Sequence, residues 1–112
     1  MEKKRQSDRK ALKVYLKVVD TKTGDLLGHA VDITEKGIML TCEEPIEAGL
    51  GFDLQLELPA EIEGIREIHF SARSMWSAKD SETDFYNTGF EFSGLSERDG
   101  RIIDTVTKKY CF

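Results

Sequence analysis

The sequence predicts a mainly β protein in which six antiparallel strands form a sandwich or a small barrel and one helix follows. Apolar and polar side chains alternate in six short runs, which is the pattern of strands with one buried face. Turn-forming residues separate the runs at short intervals. After the last run the apolar spacing becomes that of a helix. A closed or nearly closed barrel would also remove exposed sheet edges.

The first half of the chain reads as two hairpins. Residues Ala11–Asp20 alternate, with their apolar side chains on one face. The segment Asp20–Asp25 is rich in turn formers and is predicted to link this strand to the next. Leu26–Ile33 and Ile38–Cys42 are predicted to pair around a second turn, Asp32–Gly37. Three strands are therefore expected before the first proline-containing loop.

The fourth and fifth strands follow that loop. Phe52–Leu58 alternates regularly, and Pro59 is predicted to end the strand. Glu61–Glu67 then reads as a polar connection that belongs to neither strand. One long strand follows it, with a shared face made of Ile68, Phe70, Ala72, Ser74 and Trp76.

The last strand and the helix complete the fold. The charged segment Lys79–Asp84 is predicted to be a mobile loop. The strand after it carries Tyr86, Thr88, Phe90 and Phe92 at alternate positions. Ser96–Asp99 has the spacing of a capping box, with Asp in place of the usual Glu, and predicts a helix over about 97–110. Its apolar stripe consists of Ile102, Ile103, Val106 and Tyr110.

The composition is typical of one globular domain. A chain of 112 residues is long enough for a single core, and 39% apolar with 33% charged residues fits a folded protein. No apolar run is long enough to span a bilayer and no secretory signal follows the charged first residues, so a cytoplasmic protein without membrane insertion is predicted. Cys42 and Cys111 lack metal-site spacing and are expected to be free thiols.

Charge is distributed unevenly along the chain. Residues 1–17 hold seven Lys or Arg against two acidic residues, a local charge of +5; because the whole chain carries −5, the rest carries −10. A positive arm on an acidic body indicates a discrete anionic partner, although a solvated terminus is the alternative. The acidic body argues against binding long nucleic acids. We divide the chain into a flexible basic arm, residues 1–10, and a folded domain, residues 11–112.

Two short motifs occur in order along the chain. The arm carries Arg5 and Arg9 in an Arg-x-x-x-Arg spacing, and the second turn carries Asp32, Thr34 and Gly37 in an Asp-x-Thr-x-x-Gly spacing. The oxygen atoms of Asp32 and Thr34 can bond nearby backbone or a ligand. Gly37 can adopt a positive φ angle that other residues resist. Taken alone, the second motif favours a simple hairpin turn.

In this order, and ahead of this strand pattern, the two motifs resemble those of the PilZ family, whose members bind the bacterial second messenger cyclic di-GMP. The resemblance includes Gly89-Phe90-Glu91-Phe92 in the last strand and the final helix, so it covers nearly the whole chain. It implies a six-stranded antiparallel PilZ-type barrel with a C-terminal α-helix. It also implies a non-catalytic receptor that signals to a protein partner. Thr34 departs from the family pattern, which usually has Ser there.

The resemblance further implies the binding roles of the motif residues. Arg5 and Arg9 would clasp the ligand, because a guanidinium group binds phosphate bidentately and also reads the guanine edge. Asp32 would accept hydrogen bonds from guanine N–H groups, and Thr34 would keep the hydroxyl of the usual Ser. The extra methyl group of Thr34 stiffens its χ1 angle and could weaken binding by crowding the base. Gly37 would let the backbone pass closely under the ligand.

Two further residues are candidates for the same site. Lys4 would add attraction for phosphate, or remain a solvated surface lysine. Trp76 lies on the strand face predicted to be core, while its position near the strand end also allows base stacking. His29 and His69 have no Cys or carboxylate pattern around them, so we predict no metal site, no cofactor and no catalytic triad.

Two other functions compete with the receptor. One is a PilZ-like adaptor that acts through protein contacts and no longer binds nucleotide. The intact arginine pair argues against the adaptor, whereas Thr34 argues mildly for it. The other is a small RNA-binding barrel, which would expose stacking aromatic residues beside basic ones. Most aromatic residues here fall on the apolar faces of the predicted strands.

Overall fold

The computed structural model describes residues 11–111, with side chains described from Tyr15 onward. Its elements are β1 (Ala11–Asp20), β2 (Leu26–Ile33), β3 (Gly37–Cys42), β4 (Gly51–Ile62), β5 (Ile65–Lys79), β6 (Tyr86–Gly94) and α1 (Glu97–Tyr110). The strands pair antiparallel and close into a barrel in the order β1-β2-β3-β6-β5-β4. The predicted fold class is therefore confirmed. Lys4, Arg5 and Arg9, with the division proposed at residue 10, lie outside the described residues.

The core lies inside the barrel and continues under the helix. Alternate residues of the strands point inward, as period-two patterning requires. They meet the helix residues in one cluster that includes Val18, Ala30, Leu40, Leu54, Ile68, Ile102, Ile103 and Val106. Phe90 packs edge-to-face against Phe52 with ring centroids 5.6 Å apart, a favoured aromatic geometry. Packing of Phe90 against Phe52 therefore holds the middle of β6 against β4.

Helix α1 begins at the predicted cap. The Ser96 hydroxyl oxygen accepts a hydrogen bond from the backbone N–H of Asp99 at 3.0 Å. The helix has 14 residues and lies against β1 and β4. Arg101 ties it to the β4–β5 turn through a 3.2 Å contact with Glu63. In the part of the chain from residue 11 to 111, no helix is long and apolar enough to cross a membrane.

The connection between β4 and β5 differs from the prediction. Strand β4 continues through Pro59, so the predicted end of the strand is wrong. The polar connection shrinks to Glu63 and Gly64, whose φ angles of 53° and 76° suit a tight two-residue hairpin. Pro59 is tolerated because the β4–β5 pairing is irregular between Glu57 and Ile62, where a missing backbone N–H breaks no regular ladder.

The two cysteines are buried free thiols, as predicted. Burial raises the pKa of the Cys42 thiol, against a smaller opposing effect of a hydrogen bond with Thr88. The Cys42 side chain therefore remains protonated at neutral pH, as expected of a core residue rather than a reactive group.

Candidate ligand-binding site

The β2–β3 turn is organised by the Thr34 hydroxyl. The backbone N–H of Thr34 donates to the Gly37 carbonyl at 2.9 Å and closes the turn. The hydroxyl oxygen of Thr34 accepts from the N–H groups of Lys36 at 3.1 Å and Gly37 at 3.2 Å. The hydroxyl hydrogen makes only a long, 3.5 Å contact with the Gly37 carbonyl. Thr34 thus acts as a turn cap, and its O–H donor remains available to a ligand.

Gly37 is required for a different reason from the one predicted. It lies at the first position of β3, opposite Glu91 of β6, and its φ angle is not positive. A Cβ atom at this position would collide with the backbone carbonyl of Phe90. The prediction of a positive φ at Gly37 is therefore wrong. The glycine permits close approach of β3 to β6 beside the turn.

One row of paired residues crosses five neighbouring strands at the turn. Ala11 of β1 is opposite Asp32 of β2, and Asp32 is opposite Met39 of β3. Met39 is opposite Gly89 of β6, and Gly89 is opposite Trp76 of β5. Paired residues share a face of the sheet, and each strand adds about 4.8 Å, so Asp32 and Trp76 lie about 14 Å apart along the outer surface.

Two β-bulges turn Asp32 and Trp76 of this row outward. In β2 the pairing skips Val31, so Ala30 faces inward and Asp32 faces outward. In β5 the pairing skips Met75, so the inward alternation that ends at Ser74 does not continue to Trp76. Bulges of this kind are common next to functional sites because they re-aim side chains.

Trp76 consequently lies on the outer surface. Its side chain is 37% exposed, so the prediction that it belongs to the core is wrong. Its indole ring covers Gly89, where a Cβ atom would collide with the ring. The absence of a side chain at Gly89 therefore lets the indole lie flat against β6.

The turn and the tryptophan border one open cleft of about 230 Å³. Four of the predicted site residues line it: Asp32, Thr34, Gly37 and Trp76. The sequence reasoning missed four other outward-facing lining residues: Lys36, Met39, Met75 and Glu91. Lys36 and Glu91 could have been found from their positions inside or beside the two motifs. Met39 and Met75 carry no sequence signal, because only the strand register brings them to the cleft.

The charge of the cleft is poorly matched to a doubly negative ligand. Among its lining residues from the described part of the chain, Lys36 is the only cation, whereas Asp32 and Glu91 are both acidic. A phosphate-containing ligand would need additional positive charge close by.

Strand β1 begins beside the turn that borders the cleft. Ala11 pairs with Asp32 and so forms the end of the register row. The arm therefore joins the barrel at a residue that is paired with a lining residue of the cleft.

Other chemistry finds little support in the described structure. Within residues 11–111, no group of three or more His, Cys, Asp or Glu side chains is arranged to hold a metal ion. The ring of His29 lies near that of Tyr15, with centroids 6.3 Å apart, and His69 contacts Glu67 at 3.1 Å. Neither histidine lines the cleft.

Comparison with solved structures agrees with the barrel topology. The inhibitor of motility MotI/DgrA from Bacillus subtilis superposes with a TM-score of 0.75 at 19% identity, covering 96% of this chain and 51% of that one. This chain thus spans about half the length of that relative. The structure described as the PilZ domain with c-di-GMP of YcgR from Escherichia coli superposes with a TM-score of 0.68 at 14% identity, covering 96% and 92%. At these identities the likeness concerns the fold.

The family assignment comes from the sequence. No curated protein matches the chain as a sequence relative. The sequence model of the PilZ domain family matches residues 3–109 of this chain. This range contains both the arginine pair and the Asp32–Gly37 turn. The match covers nearly the whole chain, and the chain therefore belongs to the PilZ domain family.

Proposed function

We propose that this protein is a non-catalytic bacterial receptor that binds cyclic di-GMP in the cleft, orders its basic arm over the ligand and signals to a protein partner in the cytoplasm. The observation that carries the proposal is the register row, in which the Asp32–Gly37 turn and Trp76 border one cleft and the start of β1 pairs with Asp32. Family membership and the ligand named for the YcgR domain support the choice of ligand.

The cleft offers suitable groups for a guanine base. The Asp32 carboxylate is able to accept hydrogen bonds from two guanine N–H groups, since it has two oxygen atoms. Trp76 presents an exposed indole about three strand spacings away, where a base can stack. The Thr34 hydroxyl adds a donor at the turn. These groups account for base recognition without any help from the arm.

The phosphates of the ligand account for the arm. The described lining of the cleft has one lysine and two carboxylates, so this lining attracts a dianion poorly by itself. Arg5 and Arg9 supply two guanidinium groups, each able to bind a phosphate bidentately. The arm is polar after Met1 and gains little by packing on the barrel unless an anion is present. Ligand binding therefore couples to ordering of the arm.

The second candidate is a PilZ-like adaptor that acts through protein contacts and binds no nucleotide. Glu91 favours it, because this carboxylate lines the cleft and repels phosphate. Thr34 also favours it, because its extra methyl group stiffens χ1 and occupies space beside the base. The arginine pair, on an arm that joins β1 beside Asp32, favours the receptor.

Calorimetric titration separates the two candidates. Cyclic di-GMP is expected to bind the full chain, while GTP and cyclic di-AMP are expected to bind much more weakly. Failure of cyclic di-GMP to bind even at low salt, where charge attraction is least screened, would favour the adaptor.

Substitution of Thr34 tests the role of its hydroxyl. Thr34→Ser keeps the acceptor for the Lys36 and Gly37 N–H groups, so it should bind cyclic di-GMP at least as well as the wild type. Thr34→Val removes that acceptor and should lose about 0.5–1.5 kcal/mol of stability per hydrogen bond, together with ligand affinity. Thermal unfolding and calorimetry measure the two effects. Equal affinity of the Val variant and the wild type would show that the hydroxyl is dispensable for the site.

Substitution of Trp76 tests base stacking. Trp76→Ala should weaken cyclic di-GMP binding by about 1–3 kcal/mol, the usual contribution of a base–aromatic stack. Trp76 is the only tryptophan in the chain, so its fluorescence should also change when the ligand binds the wild type. Phe85→Ala removes a comparably exposed aromatic residue outside the cleft and is the matched control. Equal affinities of the two variants would remove Trp76 from the site.

A further inference from the structure

A second concave surface lies beside the cleft on the outside of the barrel. It encloses about 970 Å³, and we call it the outer groove. Its apolar lining includes Tyr15, Leu26, Val31, Met39, Ile46 and Phe85. Its acidic rim consists of Glu43, Glu44 and Asp80. Met39 lines both the outer groove and the cleft, so the two surfaces are adjacent.

The apolar side chains of the groove are unusually exposed. Tyr15 is 71% exposed, Leu26 51% and Phe85 46%. These are half of the six large hydrophobic residues that are exposed in the described part of the chain. Grouping of such residues in one concavity with a polar rim is typical of an interaction surface.

The loop that presents Phe85 is held by hydrogen bonds. One Asp80 carboxylate oxygen accepts from the Asn87 side chain at 3.0 Å, and the other accepts from the Glu82 backbone N–H at 3.0 Å. The backbone N–H of Asp80 donates to the Phe85 carbonyl at 2.9 Å. The Phe85 N–H donates in turn to the Thr83 hydroxyl oxygen at 3.1 Å. An exposed aromatic residue on a loop with these hydrogen bonds costs little entropy to engage.

The charged residues of the groove's described lining are acidic, and His29 is its one further titratable side chain apart from Tyr15. It contains three carboxylates and neither lysine nor arginine. The hydrogen bond from the Glu82 backbone, followed by that from Asn87, lowers the pKa of Asp80, so this carboxylate is ionised at neutral pH. Nucleic acid and anionic lipid are repelled by such a rim. A partner with positive charge and apolar side chains is complementary to it.

We infer that the outer groove is the docking site for a basic amphipathic segment of a partner protein, whose apolar side chains contact Tyr15, Leu26 and Phe85 and whose lysines or arginines face Glu43, Glu44 and Asp80. This inference deepens the proposed function and rests on it for the identity of the signal. Met39 and the Val31 bulge connect the groove to the cleft, so a ligand that shifts β2 or β3 changes the docking surface.

A designed peptide tests the docking site directly. The probe is a synthetic amphipathic peptide of leucine and lysine carrying a fluorophore, and fluorescence anisotropy with the full-length protein measures its affinity. Phe85→Ser should weaken binding about tenfold or more, because a central aromatic anchor is lost. Leu50→Ser is the matched control, since Leu50 is 42% exposed but lies outside the groove.

A second pair of variants tests the acidic rim. Glu43→Lys with Glu44→Lys should abolish binding of the leucine–lysine peptide and permit binding of a leucine–glutamate peptide. Glu57→Lys with Glu61→Lys changes the net charge equally at exposed positions outside the groove and should leave binding unchanged. Equal losses in both double variants would show non-specific attraction to an acidic protein and would overturn the inference, as would absence of binding to the wild type.

Calorimetry with cyclic di-GMP on the same variants separates this inference from the proposed function. The groove variants should retain the wild-type affinity for cyclic di-GMP. If the peptide does not bind but cyclic di-GMP does, the docking site is overturned and the receptor is not. If the peptide binds and both control variants behave as expected, but cyclic di-GMP does not bind, the receptor is overturned and the docking site is supported.

Discussion

Arg5→Ala and Arg9→Ala are each expected to weaken cyclic di-GMP binding by roughly 1.5–3 kcal/mol, the range for hydrogen bonds to charged groups. The reason is the charge of the cleft, where Lys36 is the only cation among the described lining residues and two carboxylates lie nearby. The arm that carries both arginines joins β1 at Ala11, which is paired with Asp32.

Two further variants separate the effect of the positive charge of the arm from the effect of the guanidinium geometry. Lys10→Ala removes one positive charge from the same arm without removing a guanidinium group, so it should cost much less. Arg9→Lys keeps the charge and loses the bidentate geometry, so it should fall between the wild type and Arg9→Ala. Calorimetry at two salt concentrations measures the four variants and the wild type. If both Arg→Ala variants bind as the wild type does, the arginines are not part of the site.

Gly37→Ala is expected to damage both the fold and the site. The added Cβ atom meets the Phe90 backbone carbonyl, which is held in the β3–β6 ladder and cannot move as a flexible side chain would. Overpacking of this kind typically costs about 1–3 kcal/mol. The displaced turn should also lose cyclic di-GMP affinity, because Thr34 bonds directly to Gly37.

Gly94→Ala provides the control for that prediction. Gly94 ends β6, has no positive φ angle and has open space where a Cβ atom would lie. Denaturant unfolding and calorimetry should therefore find this variant close to the wild type. Equal stability of the Gly37 and Gly94 variants would contradict the close approach of β3 to β6.

The barrel and its helix could be predicted because alternation and capping are local signals. Each strand shows its buried face in the sequence, and Ser96 with Asp99 marks the helix start. The β4–β5 turn was missed because polar residues at the ends of both strands resemble a loop. Its two positive φ angles belong to Glu63 and Gly64, and only the glycine is a typical turn residue there.

The candidate site was predictable only in part. The motif residues Asp32, Thr34 and Gly37 could be named from spacing, although the steric role of Gly37 depends on a carbonyl in a distant strand. Trp76 was assigned to the core because period-two reasoning continues through β5 without a break. The bulge at Met75 reverses the phase of the strand, and a bulge is a property of pairing that one strand's sequence does not show.

Hydrogen exchange with and without cyclic di-GMP tests the central claim most directly. At saturating ligand, the receptor account predicts that protection increases at about residues 4–10 and 32–37, while β4 and β5 before the Met75 bulge change little. The two segments should gain protection together, because the ligand bridges the arm and the turn. Calorimetric saturation with unchanged exchange in residues 4–10 would contradict the ordering of the arm, and unchanged exchange in residues 32–37 would contradict the location of the site.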